Sequence, residues 1–196
     1  MRSKLKNWKL QIVNCKLFAL VLIFNLQFLI CNSYAQNKKI SKYIFPGYKI
    51  LDTLSGDLNL DGRKDLLLIL KVIAEDTMSF TEAQRPLLIL IQNAGGSYYQ
   101  AGRNNQVVLC KGCGGVFGDP YASITIKSGY FSIEHYGGSN WRWTDIATFH
   151  YDKKQKKWFL SRWGGDSFHT AEPEKKTTNI KTPKNFGVVE FEKFVR

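Results

Sequence analysis

Residues 65–73 read DLLLILKVI, and residues 86–92 read PLLILIQ. Each stretch holds five consecutive apolar residues, which is too short for a typical helix, and turn-forming residues bound both stretches. Short apolar runs of this kind are typical of strands that are covered on both faces. The sequence therefore predicts two buried β-strands, separated by a polar connection, residues 74–85, with room for one helical turn.

Period-two alternation outside this pair predicts further strands. Residues 122–127 and 130–136 flank the turn Ser128-Gly129 and predict a hairpin. Residues 146–151 and 157–163 predict a second hairpin, and residues 48–53 and 188–194 predict single strands. The expected fold is all-β: a single-domain antiparallel meander of about eight strands, arranged as a sandwich or like propeller blades, with little helix. Residues 171–185, rich in Lys, Thr and Pro, are expected to form a flexible exposed loop.

The amino terminus has the pattern of a cleavable signal peptide. Five basic residues precede an apolar run at residues 17–30, which is shorter than the roughly 20 residues of a bilayer span. Ser33 and Ala35 supply the small residues that signal peptidase requires before its cut. The sequence predicts cleavage after Ala35 and a single exported domain, residues 36–196, that is secreted or periplasmic and has no permanent membrane span.

Two other fates of the amino terminus remain open. The segment could stay uncleaved as an N-terminal anchor, or Cys31 could carry a lipid. Lipid attachment usually requires a small residue before the cysteine, and Ile30 is bulky, so the lipoprotein alternative is disfavoured.

The positive net charge of the chain indicates which classes of partner are expected. The chain has 28 Lys and Arg against 16 Asp and Glu, and loss of the five basic residues in the signal leaves 23 against 16, a net charge of +7. A moderately basic surface suits anionic partners, such as acidic polysaccharide or lipid headgroups, or serves solubility alone. An exported protein without a basic helix or a basic–aromatic motif is not expected to bind nucleic acid. The expected partners are a cell-surface polysaccharide or protein.

A stretch rich in oxygen-bearing side chains, GDLNLDGRKD, spans residues 56–65 and is named here the Asp-rich loop. Alternate positions on a tightly curved loop can point at one centre, and Gly62 permits the positive φ that folds the loop back. Calcium takes six to eight oxygen ligands, so the pattern predicts a structural calcium site. The alternative is a turn that binds no ion strongly. The expected ligands are Asp57, Asn59, Asp61 and Asp65, with the carbonyl oxygen of Arg63.

The Asp-rich loop is not an EF-hand, because the twelfth position, which should be Glu, is Leu68. With the strand that follows, GDLNLDGRKDLLLIL resembles the FG-GAP or VCBS-type repeat, and residues 85–102 resemble the rest of that hairpin more loosely. These repeats carry a calcium loop in the β-propeller blades of adhesins and integrin-like proteins. The resemblance implies that Asp57, Asn59, Asp61 and Asp65 are calcium ligands. It covers about a quarter of the chain, in one copy, with Leu60 where the repeats usually have Gly.

Cys110 and Cys113 are the two cysteines of the predicted exported domain. Outside the cytoplasm a close pair is expected to form a disulfide. The alternatives are a redox-active pair, a zinc site and free thiols. A redox-active pair would be expected at a helix N-terminus, whereas Gly114-Gly115 follows here without a helical pattern. A zinc site would need two more ligands, and the three histidines lack zinc-finger spacing.

Three Gly-rich stretches also contain aromatic residues: residues 112–121, 136–145 (YGGSNWRWTD) and 163–169 (WGGDSFH). Indole rings stack on the CH faces of sugars, and polar side chains bond sugar hydroxyls. The alternative is that the tryptophans cap the core while the glycines form turns. The candidate ligand-binding residues are Trp141, Arg142, Trp143 and Asp145.

No catalytic group is predicted. The chain lacks a GxSxG motif, and His135 alternates with apolar residues, as a core histidine would. The protein is therefore expected to be a non-enzymatic binding or structural module with a calcium-stabilised loop. The alternative functions are thiol–disulfide exchange through Cys110 and Cys113, and recognition of cell-surface glycan. The sequence says nothing about the oligomeric state.

Overall fold

The computed structural model describes residues 40–78 and 81–196, so the predicted signal, residues 1–35, lies outside the described residues. The short 3₁₀ turn Ser41–Tyr43 belongs to one compact unit, and residues 44–196 belong to a second unit that contains all the strands described below.

The first sheet is built around the two apolar stretches that the sequence singled out. Leu66 to Leu70 and Leu87 to Ile91 are all buried, as strands covered on both faces should be. A 3₁₀ turn, Ile73–Asp76, lies in the connection between them, where one helical turn was expected. The four strands follow one another antiparallel in chain order: β1 (Tyr48–Gly56), β2 (Asp65–Val72), β3 (Arg85–Gln92) and β4 (Tyr98–Val108).

The second sheet contains both predicted hairpins. Its order also follows the chain: β5 (Tyr121–Lys127), β6 (Tyr130–Gly138), β7 (Trp141–Asp152), β8 (Lys157–His169) and β9 (Thr177–Lys181). The described residues thus form nine strands in two antiparallel sheets with little helix. The prediction of an all-β antiparallel meander is confirmed.

One hydrophobic core joins the two sheets. Ile69 in β2 pairs with Leu87 in β3, and both side chains belong to the face that packs on the second sheet. Phe149 in β7 lies on the other side of this core, and Phe191 and Phe194 pack edge-on against it with ring centroids 5.2 and 5.5 Å away. The carboxy-terminal segment therefore closes the core.

Three segments differ from the sequence expectation. Residues 171–185 are not one loop, because they contain the edge strand β9 and a short helix α1 (Pro183–Phe186). The side chains of β9 are largely exposed, so the strand lacks the apolar alternation that would reveal it. The predicted strand at residues 188–194 is instead a single bridge, between Glu190 and Phe159, followed by the 3₁₀ turn Phe191–Lys193. Strand β4 was not predicted as a separate strand.

Candidate functional site

An open cleft of about 320 Å³ lies on β7, β8 and β9 and is named here the Trp cleft. Strand register explains which side chains meet there, because residues directly opposite each other in a sheet share a face. Trp143 pairs with Ser167, which pairs with Thr177, while Trp163 pairs with Lys181. Between these two rows, Gly165 pairs with Asn179. The residues lining the cleft include Trp143, Asp145, Trp163, Gly165, Asp166, Ser167, Thr177, Asn179 and Lys181.

The floor of the Trp cleft consists of backbone atoms, because two consecutive glycines of β8, which have no side chains, line it. Neighbouring backbone leaves no room for a Cβ at either glycine. A Cβ on Gly165 would lie 2.1 Å from the carbonyl oxygen of Thr144. Gly164 has a φ of +133°, and its Cβ would lie 1.9 Å from the carbonyl oxygen of Asn179. Any side chain at either position would force the neighbouring strands apart. The Trp-Gly-Gly sequence is thus what opens a space beside the Trp163 ring.

Both cleft tryptophans are half-buried and held by their neighbours. Trp143 lies over Gly137 of β6, where a Cβ would be only 2.5 Å from Cζ2 of the indole. Trp163 packs edge-on against Phe194, with ring centroids 5.3 Å apart, and the ammonium of Lys181 lies 4.8 Å from its ring centroid. These contacts orient the two rings before any ligand arrives.

Asp145 in the Trp cleft carries a charge that is already paired. Arg196 donates a short hydrogen bond to its Oδ2, and also donates to the carbonyl oxygens of Val107 (2.7 Å) and Ile133 (3.2 Å). Burial lowers the pKa of Arg196, while the Asp145 carboxylate opposes that shift. The other carboxylate oxygen of Asp145, Oδ1, is buried and has no hydrogen-bond partner among the residues that the structure describes.

The structure separates the four candidate ligand-binding residues. Trp143 and Asp145 line the Trp cleft. Trp141 lies on the same face of β7 as Trp143 and Asp145, because side chains alternate along a strand. It is at the end of the strand, where it is 63% exposed and packs edge-on against His169. Arg142 points to the opposite face, where its guanidinium lies 3.9 Å from the ring centroid of Phe117.

The residues that line the Trp cleft but are not among the sequence-predicted candidates include Trp163, Asn179 and Lys181. The resemblance between WGGDSFH and YGGSNWRWTD was the available signal for Trp163, since both stretches place Gly-Gly near Trp. No such signal marks Asn179 or Lys181, because β9 was not recognised as a strand.

The Asp-rich loop closes on its own side-chain oxygens. The Oδ1 atoms of Asp57 and Asn59 both lie 3.1 Å from the backbone nitrogen of Asp61 and accept its hydrogen. The other oxygen of Asp57 accepts from the backbone N–H of Gly62 at 2.9 Å, and Gly62 has the positive φ that its position suggested. Oxygen atoms from Asp57 and Asn59 therefore meet at a backbone N–H, so hydrogen bonds within the loop hold its curvature.

Asp65 has a different environment from the other three predicted side-chain ligands. It is buried, and its two oxygens accept the backbone hydrogens of Leu58 and Gln92, both at 2.9 Å. Burial raises the pKa of the Asp65 carboxyl, which these two hydrogen bonds partly oppose. Within residues 40–78 and 81–196, no group of three or more His, Cys, Asp or Glu side chains is arranged to hold a metal ion. Calcium also binds amide and carbonyl oxygens, which such a group does not include.

Cys110 and Cys113 form the predicted disulfide. Cys110 is buried and Cys113 is exposed, at the start of the 3₁₀ segment Lys111–Phe117, named here the disulfide turn. The disulfide turn packs on the end of β6, where Gly115 has a φ of +69° and a Cβ would lie 3.3 Å from the carbonyl oxygen of Gly138. Phe117 packs edge-on against Tyr136, with ring centroids 5.3 Å apart.

His135 lies in the interior, fully buried in β6. Its Nε2 accepts the backbone N–H of Leu109 at 3.1 Å, which assigns the ring proton to Nδ1. Burial, together with the positive charges of Arg196 and Arg85, lowers the pKa of His135 to about 3. A neutral, inaccessible imidazole packs the core; it cannot meet a substrate at the surface.

No helix in the described part of the chain is both long enough and apolar enough to cross a membrane. Comparison with models of protein families, with curated proteins and with solved structures finds no match to this chain.

Proposed function

We propose that the protein is an exported carbohydrate-binding module and that its ligand occupies the Trp cleft. The observation that carries this proposal is the pair of half-buried indoles, Trp143 and Trp163, in a cleft whose floor is the backbone of Gly164 and Gly165. Indole faces are apolar and flat, and they suit the CH faces of sugar rings. The export signal predicted at residues 1–35 supports an extracellular or periplasmic ligand.

Polar groups around the indoles complete a sugar-like site. Ser167 and Thr177 share the row of Trp143, and Asn179 lies between the two rows. Hydroxyl and amide groups both donate and accept, so they can bond sugar hydroxyls whichever way these point. Small-molecule sites generally combine apolar walls with a few polar groups in a volume of about 300–1,000 Å³. The cleft, at about 320 Å³, is at the lower end of this range.

The acidic groups of the Trp cleft favour binding over hydrolysis. Glycoside hydrolysis needs one carboxylic acid that stays protonated to donate to the leaving group. Asp145 is instead paired with Arg196. The hydroxyl of Thr178 donates to Asp166 at 2.6 Å and lowers the pKa of that carboxyl, and Lys176 lies 3.5 Å away. Neither carboxylate has the environment of a general acid.

The test is binding of oligosaccharides to the exported protein by isothermal titration calorimetry. Trp143→Ala and Trp163→Ala should each weaken binding at least tenfold, about 1.4 kcal/mol. Trp141→Ala is the matched control, because Trp141 shares the face but does not line the cleft; it should keep the wild-type affinity. Thermal melts of all three variants would establish that they remain folded. Absence of binding to any neutral or acidic oligosaccharide at millimolar concentration would overturn the proposal.

A second proposal is that the Asp-rich loop holds a structural calcium ion. It is favoured by the oxygen-bearing side chains at alternate positions, Asp57, Asn59 and Asp61, in a loop that Gly62 turns back with a positive φ. The carbonyl oxygen of Arg63 would contribute to the shell. Asp61 would join only by exchanging its present partners for the ion, since its Oδ1 accepts the backbone N–H of Arg63 at 2.9 Å and its Oδ2 accepts from the Asn59 amide and the Arg63 guanidinium. Bound calcium would neutralise the acidic loop and fix its curvature.

Thermal melts in EDTA, calcium and magnesium test the calcium proposal. A ligand at 100 times its dissociation constant adds about 2.7 kcal/mol, which should raise the midpoint by several degrees. The double variant Asp57→Ala/Asp61→Ala should lose the calcium response. Asp152→Ala is the control, since Asp152 also accepts backbone hydrogens in a turn but lies outside the loop. A full calcium response in the double variant would show that the ligand set is wrong.

A further inference from the structure

The charges of the Trp cleft do not cancel. Asp145 is neutralised by Arg196, and Asp166 is neutralised by Lys176. Lys181, on the edge strand β9, makes no ion pair with any residue of the described chain; its ammonium lies over the ring of Trp163 instead. After each ion pair is counted as neutral, one positive charge remains in the cleft.

The position of Lys181 makes its charge decisive for ligand choice. Lys181 is directly opposite Trp163, and its Nζ lies 4.8 Å from the ring centroid. A sugar that stacks on Trp163 must take the place of the ammonium over the ring and end the cation–π contact. A neutral sugar offers the displaced ammonium only hydroxyl groups. A sugar with an anionic substituent offers it a charge-assisted hydrogen bond, which is a stronger interaction.

We propose that the Trp cleft selects acidic sugars and that Lys181 is the residue that recognises their anionic group. This inference rests on the proposed carbohydrate function of the same cleft. The recognised chemistry is a negatively charged substituent, carboxylate or sulfate, on a sugar ring that stacks against Trp163. Lys181 then exchanges an aromatic partner for an anionic one when the ligand enters.

The experiment compares three oligosaccharides of matched length in isothermal titrations at physiological salt: a neutral glucan, a uronic acid oligomer and a sulfated glucan. Lys181→Met removes the charge and keeps an apolar chain that can pack on Trp163. Lys184→Met is the matched control, because Lys184 is exposed in α1, three residues along the chain, and does not line the cleft. It tests whether the positive net charge of the chain attracts polyanions without a specific site.

Wild type and Lys184→Met should bind at least one acidic oligomer tenfold or more tightly than the neutral glucan. Lys181→Met should reduce this preference to less than twofold. A preference confined to the uronic acid or to the sulfated oligomer would support the proposal and identify the anionic group.

Two results would overturn the proposal and leave the carbohydrate function intact. One is equal affinity of wild type for neutral and acidic oligomers. The other is an equal loss of preference in Lys184→Met and Lys181→Met, since that would assign the effect to net charge. If wild type binds none of the three oligomers, the carbohydrate function itself is wrong, and the selectivity proposal falls with it.

Discussion

The indole N–H of Trp158 donates a hydrogen bond to the carbonyl oxygen of Leu58, with the nitrogen and oxygen 3.1 Å apart. Trp158 lies in β8 of the second sheet, whereas Leu58 lies within the Asp-rich loop of the first sheet. Both side chains are buried in the common core. This bond, together with the one from the N–H of Gly129 to the carbonyl oxygen of Asp57 at 3.2 Å, connects the candidate calcium loop to the opposite sheet. The conformation of the loop and the packing of the two sheets therefore depend on each other.

Trp158→Phe should reduce the free energy of unfolding by about 1–3 kcal/mol, because it leaves a buried carbonyl oxygen without its donor. The phenyl ring keeps part of the core contact, so the loss should fall short of a full aromatic deletion. Urea unfolding followed by fluorescence of the remaining tryptophans measures it. Trp141→Phe is the control: Trp141 is 63% exposed, and its replacement should stay within about 0.5 kcal/mol of wild type. Equal effects of both substitutions would show that the Leu58 bond contributes nothing.

Asp65 should stabilise the fold even without calcium. Its carboxylate accepts the backbone hydrogens of Leu58 and Gln92. Asp65→Ala therefore leaves these two backbone N–H groups without their acceptor. We expect about 2–5 kcal/mol of destabilisation in EDTA, at about 1–3 kcal/mol for each donor. Asp57→Ala should cost about 1 kcal/mol or less, because its hydrogen bonds are exposed. Urea unfolding in EDTA measures both, and similar small losses would contradict a structural role for Asp65.

The sequence predicted the strands that bury apolar residues or alternate regularly. The runs at Leu66–Leu70 and Leu87–Ile91 allow few other structures, because a short, fully apolar stretch must be covered on both faces. The turn Ser128-Gly129 was recognisable for a similar reason, since both residues have positive φ, as a two-residue hairpin turn requires. Strand β9 was missed because an exposed edge strand is not required to alternate.

The contrast between strands with a regular apolar pattern and the exposed edge strand β9 also explains which residues of the candidate site the sequence could indicate. Trp143 and Asp145 stood out by residue type in a Gly-rich stretch outside the strand predicted at residues 146–151, and both line the Trp cleft. Lys181 and Asn179 reach the cleft only through the pairing of β9 with β8, which no local pattern announces. Arg142 was grouped with its neighbours by proximity in sequence, although alternation along β7 sends it to the other face. Residues that meet only through strand pairing were thus not grouped from the sequence, and Arg142 was grouped although alternation separates it from Trp143.

Glu75 should be among the most sensitive positions in the protein. It is buried and shares the guanidinium of Arg85 with Asp119, and the shortest N–O distances are 2.7 Å to Glu75 and 2.6 Å to Asp119. Burial alone would lower the pKa of Arg85, but these two carboxylates raise it above its ordinary value. Removing one partner of a buried pair typically costs about 3–5 kcal/mol, so Glu75→Ala should destabilise by about that amount.

The next residue provides the control for Glu75. Asp76 contacts Lys49 and Lys71 but is 41% exposed, so Asp76→Ala should cost no more than about 1 kcal/mol. Chemical denaturation of the two variants at one pH separates buried from exposed ion pairs. A loss for Glu75→Ala as small as that for Asp76→Ala would mean that Asp119 alone suffices to hold Arg85.

His135 should make the protein less stable as the pH falls below about 6.5. Its pKa is about 3 in the folded protein, because burial and the charges of Arg196 and Arg85 oppose protonation, whereas an unfolded histidine titrates near 6.5. Between these values the unfolded chain binds a proton that the folded chain does not, so the free energy of unfolding should fall by about 1.4 kcal/mol per pH unit. From pH 6.5 to pH 5 the expected loss is about 2 kcal/mol, and above about pH 7.5, where the unfolded histidine is also neutral, this contribution is constant.

His135→Gln isolates this effect, because glutamine cannot titrate but its amide oxygen can still accept the hydrogen of Leu109. Urea unfolding at pH 7.5, 6.5, 5.8 and 5.0 should show a much shallower slope for this variant than for wild type. Asp119, whose pKa is lowered despite burial by its hydrogen bond from Arg85, titrates below this interval. Asp65, whose pKa burial raises, is present in both proteins and therefore does not account for a difference between their slopes. His169→Gln, on the half-exposed end of β8, should keep the wild-type slope. If His135→Gln retains that slope as well, protonation of the unfolded chain at His135 does not set the acid sensitivity, and another buried group must supply it.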